Sequence, residues 1–478
     1  MITRNIFLNI SPLDHRYFLS NKELFEELSN YLSEEASIKY CVKVEAALLK
    51  THIIMNNHDD CEKLIKEAES LENTVDPAKV YEEEEKTQHN IRALVNVIKE
   101  HLSDSIKPYV HLGATSVDIL DTATSLKIRD VTRNVLLRLL IEIEEILIKI
   151  ADTEAGTPQV GRTHGQHAVP ITFGFAISEY VSRLGKSIIK IKEASDDLRG
   201  KLAGAVGAYN STSLIVKDPV KMEEETLSYL SLKPSEHSTQ LIEPEYLLRL
   251  LLEINTAFGI IANLADDLRH LQRSEITEIR EMFTETQVGS STMPQKRNPW
   301  NSEHVKSLWK AFCPRVITFY MDQISEHQRD LSNSASSRFV ADYIAGFAAA
   351  LNRIRKVLST LYVDKKKMKD NLVLTGDLVL AEAAYILLSC SGEADAHEKI
   401  RKITLECEKS GEKLSALLKK NKEVWEKVSN QLNKTTGLDA SDFFDNPELY
   451  RGQSVNKAKS LAEKYQREML VLKEKMNG

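Results

Sequence analysis

An all-helical fold is what this 478-residue sequence predicts. The first observation is a shortage of helix breakers: 18 glycines and 12 prolines, together about half their usual share. The second is a long stretch of helical periodicity. Val131, Val135, Leu136, Leu139, Leu140, Ile143, Ile146, Leu147 and Ile150 recur at helical spacing. The third is residues 247–271, where leucine and isoleucine occupy most sides of a second long helix.

The elements divide into three parts. Residues 1–109 mix helical patterns with charged stretches and read as an N-terminal helical domain. The run Glu82 to Glu85 is a solvated helix face or turn. Pro108 marks a change of texture, and 110–365 read as a central helical bundle. There Leu137, Ile141 and Ile148 widen the apolar stripe of the 131–150 helix, so that helix is expected to be largely buried. A helix apolar nearly all round needs neighbours on every side. One chain supplies some, and an oligomeric bundle supplies more. After Asp364-Lys365-Lys366-Lys367 the sequence becomes amphipathic and charged, with Trp425, Val428 and Leu432 on one helical face. Residues 366–478 read as a smaller C-terminal helical domain.

Composition excludes several classes. The chain is 42% hydrophobic and 28% charged, as expected of a soluble globular protein. No apolar run reaches the ~18 residues of a membrane span, and no secretory signal is visible at the start. The five cysteines are scattered, without a Cys-x-x-Cys pair, so neither disulfides nor zinc are expected and a cytoplasmic setting is. A net charge of −7 argues against general nucleic-acid affinity. An anionic substrate would need a local cluster of cations.

The most informative stretch is Gly289-Ser290-Ser291-Thr292-Met293-Pro294-Gln295-Lys296-Arg297-Asn298-Pro299. It sets hydroxyls, a cation and a carboxamide between a glycine and two prolines. That suits a loop that strips a proton beside a carboxylate and holds the resulting charge. In Gly161-Arg162-Thr163-His164-Gly165-Gln166-His167-Ala168, two histidines three apart suit acid–base work near neutral pH. No further ligand at metal spacing accompanies them. In His111-Leu112-Gly113-Ala114-Thr115-Ser116-Val117-Asp118, Thr115, Ser116 or Asp118 suits a helix cap, and the free N–H groups of a helix start suit a carboxylate. Arg16-Tyr17 pairs a cation with an aromatic ring. Gln328-Arg329-Asp330-Leu331-Ser332-Asn333-Ser334 with Arg338 suits phosphate binding or a surface ion-pair network. His89 and Gln240 are single polar residues that gain meaning only from company.

Together these segments resemble the fumarase/aspartase superfamily, and within it the adenylosuccinate lyase family. The loop ending at Pro299 is the superfamily mark. His111 to Asp118, followed by Asp121-Thr122-Ala123, and then Thr163-His164, narrow the likeness. The resemblance implies a three-domain all-helical fold whose central helices join in a homotetramer to make a twenty-helix core, with active sites shared between subunits. It implies elimination of fumarate from adenylosuccinate, giving AMP, and from the succinyl-carboxamide imidazole ribotide (SAICAR), giving AICAR, with no cofactor and no metal. By the same resemblance Ser290 is the base and His164 the acid. Lys296 and Asn298 hold the succinyl carboxylate with Thr115 and Ser116. Arg16, Tyr17, Arg329, Ser334 and Arg338 bind phosphate and ribose. His89, Thr163 and Gln240 position the substrate. The chain departs from the family pattern at His15, Asn90 and Gln295. Two rival readings are a superfamily lyase with a different carboxylate substrate and a catalytically silent helical scaffold.

Overall fold

The computed structural model describes residues 5–56, 60–283 and 290–477. Their regular structure is helical apart from three two-stranded sheets, with turns and loops between the elements. They group into two compact units. The first comprises Met1–Ile141, Ser187–Ile261 and Val305–Arg353, and the second Glu142–Lys186, Ala262–His304 and Ile354–Gly478. The boundary falls inside the long helices Leu137–Thr153, Phe173–Asp196, Glu245–Leu271, Trp300–Phe312 and Val340–Ser359.

In the first unit, the helix Glu34–Met55 supplies the spine of the core. Ser33 caps it by accepting the Ala36 N–H at 3.1 Å, and Glu34 and Glu35 complement the positive end. The helix Asn90–Glu100 buries Ile91, Leu94, Val95 and Ile98, the spacing of a one-sided helix. These residues pack in one cluster with the helices Cys61–Thr74 and Ser116–Val131.

The periodic stretch 131–150 is helical, but not uniformly. A five-residue π-helical segment, Thr132–Leu136, interrupts it before Leu137–Thr153 resumes. The three residues that widen the stripe, Leu137, Ile141 and Ile148, are all buried. The stretch 247–271 lies within the helix Glu245–Leu271. By length and composition that helix is apolar enough to cross a bilayer. In this fold Leu250, Ile254, Ala257, Phe258, Ile261 and Ala265 of that helix are buried inside the protein instead.

The second unit has its own core, built from the helices Ala381–Cys390, Ala396–Ser410, Leu414–Lys420 and Lys422–Thr436. Val424, Val428 and Leu432 form the buried face of the last of these. Trp425 flanks it and packs on Phe444 with ring centroids 5.9 Å apart. The buried Asp377 accepts the N–H groups of Leu414 and Ser415, each at 2.7 Å, and so fixes the start of its helix.

The main departure from helix is a β-hairpin, β1 (Pro158–Thr163) and β2 (Gln166–Thr172). Pro158 and Pro170 break any helix here. The run Val169-Pro170-Ile171-Thr172 is rich in β-branched residues.

Candidate active site

His164 sits at the tip of this hairpin. Thr163 pairs with Gln166 across a two-residue turn in which His164 has φ +54° and Gly165 φ +77°. Positive φ at both turn positions is the geometry that matches strand twist, and it favours glycine at the second. Thr163 and His164 are therefore presented to solvent. His167, the second histidine of the motif, is set back on β2. Burial, and then the positive charge of Arg162, push its imidazole below the ordinary range, and Glu278 opposes this.

The hairpin is tied down through Glu278, which is fully buried. Its carboxylate accepts Gln159 Nε2 at 2.7 Å, Asn371 Nδ2 at 2.9 Å and both terminal nitrogens of Arg162. Four donors saturate one carboxylate, which is how a buried charge is held.

In the same unit, the loop begins its described part at Ser290; Gly289 lies outside the described residues. Ser290 Oγ accepts the N–H of Met293 at 3.1 Å and that of Thr292 at 3.4 Å. Lys296 donates its backbone N–H to Met293 O at 3.0 Å, closing the turn. Lys296 is exposed, and its ammonium has no partner among the described residues. Asn298 is half-buried. Beyond the loop, Glu281 accepts Ser302 N at 3.0 Å, Ser302 Oγ at 2.5 Å and Asn301 Nδ2 at 2.9 Å. This carboxylate caps the helix that starts at Trp300 and ties the two ends of the loop together.

The remaining predicted residues belong to the first unit. Thr115 is the N-cap of the helix Ser116–Val131, and the buried Asp118 accepts its N–H at 2.8 Å. Asp118 is also paired with the buried Lys201. Behind the N-terminus of this helix therefore stands a neutralised pair, and Thr115 and Ser116 remain partly exposed in front. Gln240 and Arg329 are joined directly: Arg329 Nη1 donates to Gln240 Oε1 at 3.0 Å. Near them Asp121 accepts Ile242 N at 3.1 Å. Burial pushes the Asp121 carboxyl up to about 6, against the pull of that N–H, Lys201 and Arg329.

Arg16 opens the short helix Arg16–Ser20 and is exposed. Its guanidinium has no partner among the described residues. Tyr17 is half-buried; burial raises its phenol, and Arg353 opposes this. Ser334 and Arg338 are exposed on adjoining turns. His89 is the N-cap of the helix Asn90–Glu100, and its Nδ1 accepts Arg92 N at 3.3 Å. That bond engages Nδ1 and leaves Nε2 out of the cap.

Of the predicted residues, then, Gln240 and Arg329 touch. Among the described residues no hydrogen bond or ion pair joins Ser290 or Lys296 to His164.

One arrangement outside the predicted site residues is the His111–Glu45 pair. His111 has φ +62°, and its Nδ1 lies 2.6 Å from Oε1 of the buried Glu45. Burial alone would depress the imidazole, but Glu45 outweighs it, and the net direction is upward. The signal was available: Glu45 is an acid flanked by the apolar Val44 and Ala46-Ala47-Leu48-Leu49, and His52 lies two turns further along the same face. His52 is buried, with Nε2 2.9 Å from Leu112 O.

Chemically, the loop offers a hydroxyl oxygen facing two N–H groups, with an unpaired ammonium six residues on. The hairpin tip offers an exposed imidazole. The first unit offers a partly exposed helix start, closed by the Thr115–Asp118 capping box, and several cations.

Residues 16–316 match the family model described as Lyase, and residues 325–439 match the one described as Adenylosuccinate lyase C-terminal. The chain is 32% identical to the adenylosuccinate lyase of Pyrococcus abyssi over 93% of its own length and 95% of that protein. It is 33% identical to the adenylosuccinate lyase of Archaeoglobus fulgidus over 86% and 90%. Among solved structures, the 3-carboxy-cis,cis-muconate lactonizing enzyme of Pseudomonas putida has the same fold. Its TM-score is 0.78 at 23% identity, covering 93% of this chain and 97% of that one.

Proposed function

This chain belongs to the adenylosuccinate lyase family of the fumarase/aspartase superfamily, and from that membership we propose how it acts. It is a carbon–nitrogen lyase that eliminates fumarate from adenylosuccinate, leaving AMP, and from SAICAR, leaving AICAR. The observation that carries this reading is likeness to adenylosuccinate lyases along nearly the whole chain.

The chemistry needs a base for a carbon acid next to a carboxylate. Ser290 takes that role: it removes the proton from the carbon beta to the departing nitrogen. The electrons pass into the neighbouring carboxylate to give an aci-carboxylate dianion. They then return to form the double bond as the C–N bond breaks toward nitrogen. His164 supplies the proton to that nitrogen. A serine alkoxide is unfavourable in water, and two N–H groups directed at Ser290 Oγ lower the cost of the negative charge. Lys296 and Asn298, with the helix start at Thr115 and Ser116, bind the succinyl carboxylates. The cations Arg16, Arg329 and Arg338, with Tyr17 and Ser334, bind phosphate and ribose. His89, Thr163 and Gln240 position the substrate.

The working particle is a cytoplasmic homotetramer that shares its active sites between subunits, and its chain follows the three-part division 1–109, 110–365 and 366–478. In support, Ile317, Tyr320, Met321 and Ile324 leave an apolar stretch exposed, which another protomer would cover. The direct test is an assay of purified protein for fumarate release from adenylosuccinate. Fumarate and AMP in equal amounts are expected. No release from either succinyl nucleotide would overturn the reading.

A further inference from the structure

We infer that Glu278 is a positioning residue for His164, acting through the two strand residues it holds, Gln159 and Arg162. The inference rests on the reading of His164 as the acid that protonates the departing nitrogen.

A two-stranded hairpin is marginal on its own, and its tip is its least constrained part. His164 sits at that tip, so something else must fix its direction. The hairpin ladder is broken: Val160 pairs with Pro170, but Arg162 pairs with His167. Two residues of β2 therefore oppose the single Gly161, which is a β-bulge. Gly161 suits this crossing because a side chain there would come within 2.8 Å of Val169 O. A bulge strengthens local twist, and the tip lies immediately beyond it. Small changes at the bulge are thereby converted into changes in where the tip aims.

Glu278 grips both sides of this break. Gln159, before it, donates to Oε2 at 2.7 Å. Arg162, after it, binds both oxygens through its fork. Residues three apart in an unbroken strand point to opposite faces. Here both reach one carboxylate, and Arg162 folds back until Nη1 lies 3.5 Å from Val160 O. Glu278 is itself immobilised. Asn371 donates to Oε1, its backbone N–H goes to Leu271 O at 2.9 Å, and its carbonyl accepts Asp364 N at 2.9 Å. A fully buried, four-donor carboxylate does more than a short hairpin needs merely to exist. It locks the register on which the direction of His164 depends.

The test is a double-mutant cycle in the full-length enzyme. Glu278→Gln keeps the shape but replaces one acceptor oxygen with a donor facing Arg162. We expect kcat to fall about 10–100-fold, the cost of a misplacement near 1 Å, with KM within about twofold. In a His164→Ala background the same change should cost less than about twofold, because there is no acid left to aim. If Glu278→Gln does not fold, Gln159→Leu removes one of the two ties and leaves the ion pair, and the same non-additivity is expected at smaller amplitude. An equal loss in both backgrounds, or normal kcat in the single variant, would overturn the positioning role while leaving His164 as the acid. Near-normal turnover in His164→Ala itself would overturn both.

Discussion

Nδ1 of His111 lies 2.6 Å from Oε1 of Glu45, and the other oxygen of that carboxylate has no hydrogen-bond partner among the described residues. The pair lies at the bend that leads into the helix start at Thr115 and Ser116. Its partnership raises the imidazole, with Asp118 adding to the effect and Arg92 opposing it. A folded-state value above the unfolded one means the contribution to stability is complete below the ordinary histidine value near 6.5. It is lost as pH rises through the raised folded value. Glu45→Gln should therefore destabilise the protein more at pH 6 than at pH 9, measured by urea unfolding. It should also lower the His111 titration midpoint seen by NMR. A destabilisation that grows with pH would contradict this.

Ser290→Ala and His164→Ala should each lower turnover by at least ~100-fold, the low end of a general acid–base contribution. The folded state should survive both changes, because among the described residues Ser290 bonds only within its own turn and His164 is exposed at a hairpin tip. Near-normal turnover in either purified variant would reject its role. Lys296→Met should reduce kcat/KM, and an unchanged value would remove the lysine from the site.

Gly207 has φ +73°, and a side chain on it would overlap the Ser238 carbonyl. The loop that contains it runs from Gly204, whose N–H donates to Asp118, to Tyr209, whose hydroxyl donates to Glu223 at 2.6 Å. Gly207→Ala should cost about 1–3 kcal/mol from backbone strain alone, and more from the overlap. Because Ser238 immediately precedes Thr239 and Gln240, KM should rise as well. A variant with unchanged midpoint and unchanged KM would mean that the loop relaxes freely.

The long helices were legible because their signal is local. Periodicity and few breakers suffice for Leu137–Thr153 and Glu245–Leu271. The π-helical segment at Thr132–Leu136 was not, since the same apolar residues fit either winding. The hairpin hid inside an all-helical expectation: Pro158 and Pro170 marked its limits, but only the pairing of Thr163 with Gln166 turns His164-Gly165 into a tight turn. The chemistry-bearing residues were visible as motifs. Their supports were not, because Glu278 lies 116 residues from Arg162 and Glu45 lies 66 from His111. Sequence spacing carries no information about such contacts.

Glu144 offers a stability test independent of the reaction. It is fully buried, and neither carboxylate oxygen has a hydrogen-bond partner among the described residues. Its surroundings include Gly185 and Tyr465, and a side chain at Gly185 would collide with the tyrosine ring. Burial drives its carboxyl well above the ordinary range, so it is held neutral in the fold. The unfolded chain ionises it near the usual carboxylate value. Stability is thus greatest below that value and is lost as pH rises toward the raised folded value, at about 1.4 kcal/mol per pH unit while only the unfolded state is charged. Glu144→Leu removes both the unpaired polar group and this loss. Its gain should be about 1–3 kcal/mol from the unmet hydrogen bonds, and it should grow between pH 5 and pH 7. Chemical denaturation at the two pH values reads this directly. A Glu144→Leu protein no more stable than the parent at pH 7 would show that the carboxyl has a partner in the assembled particle that the single chain lacks.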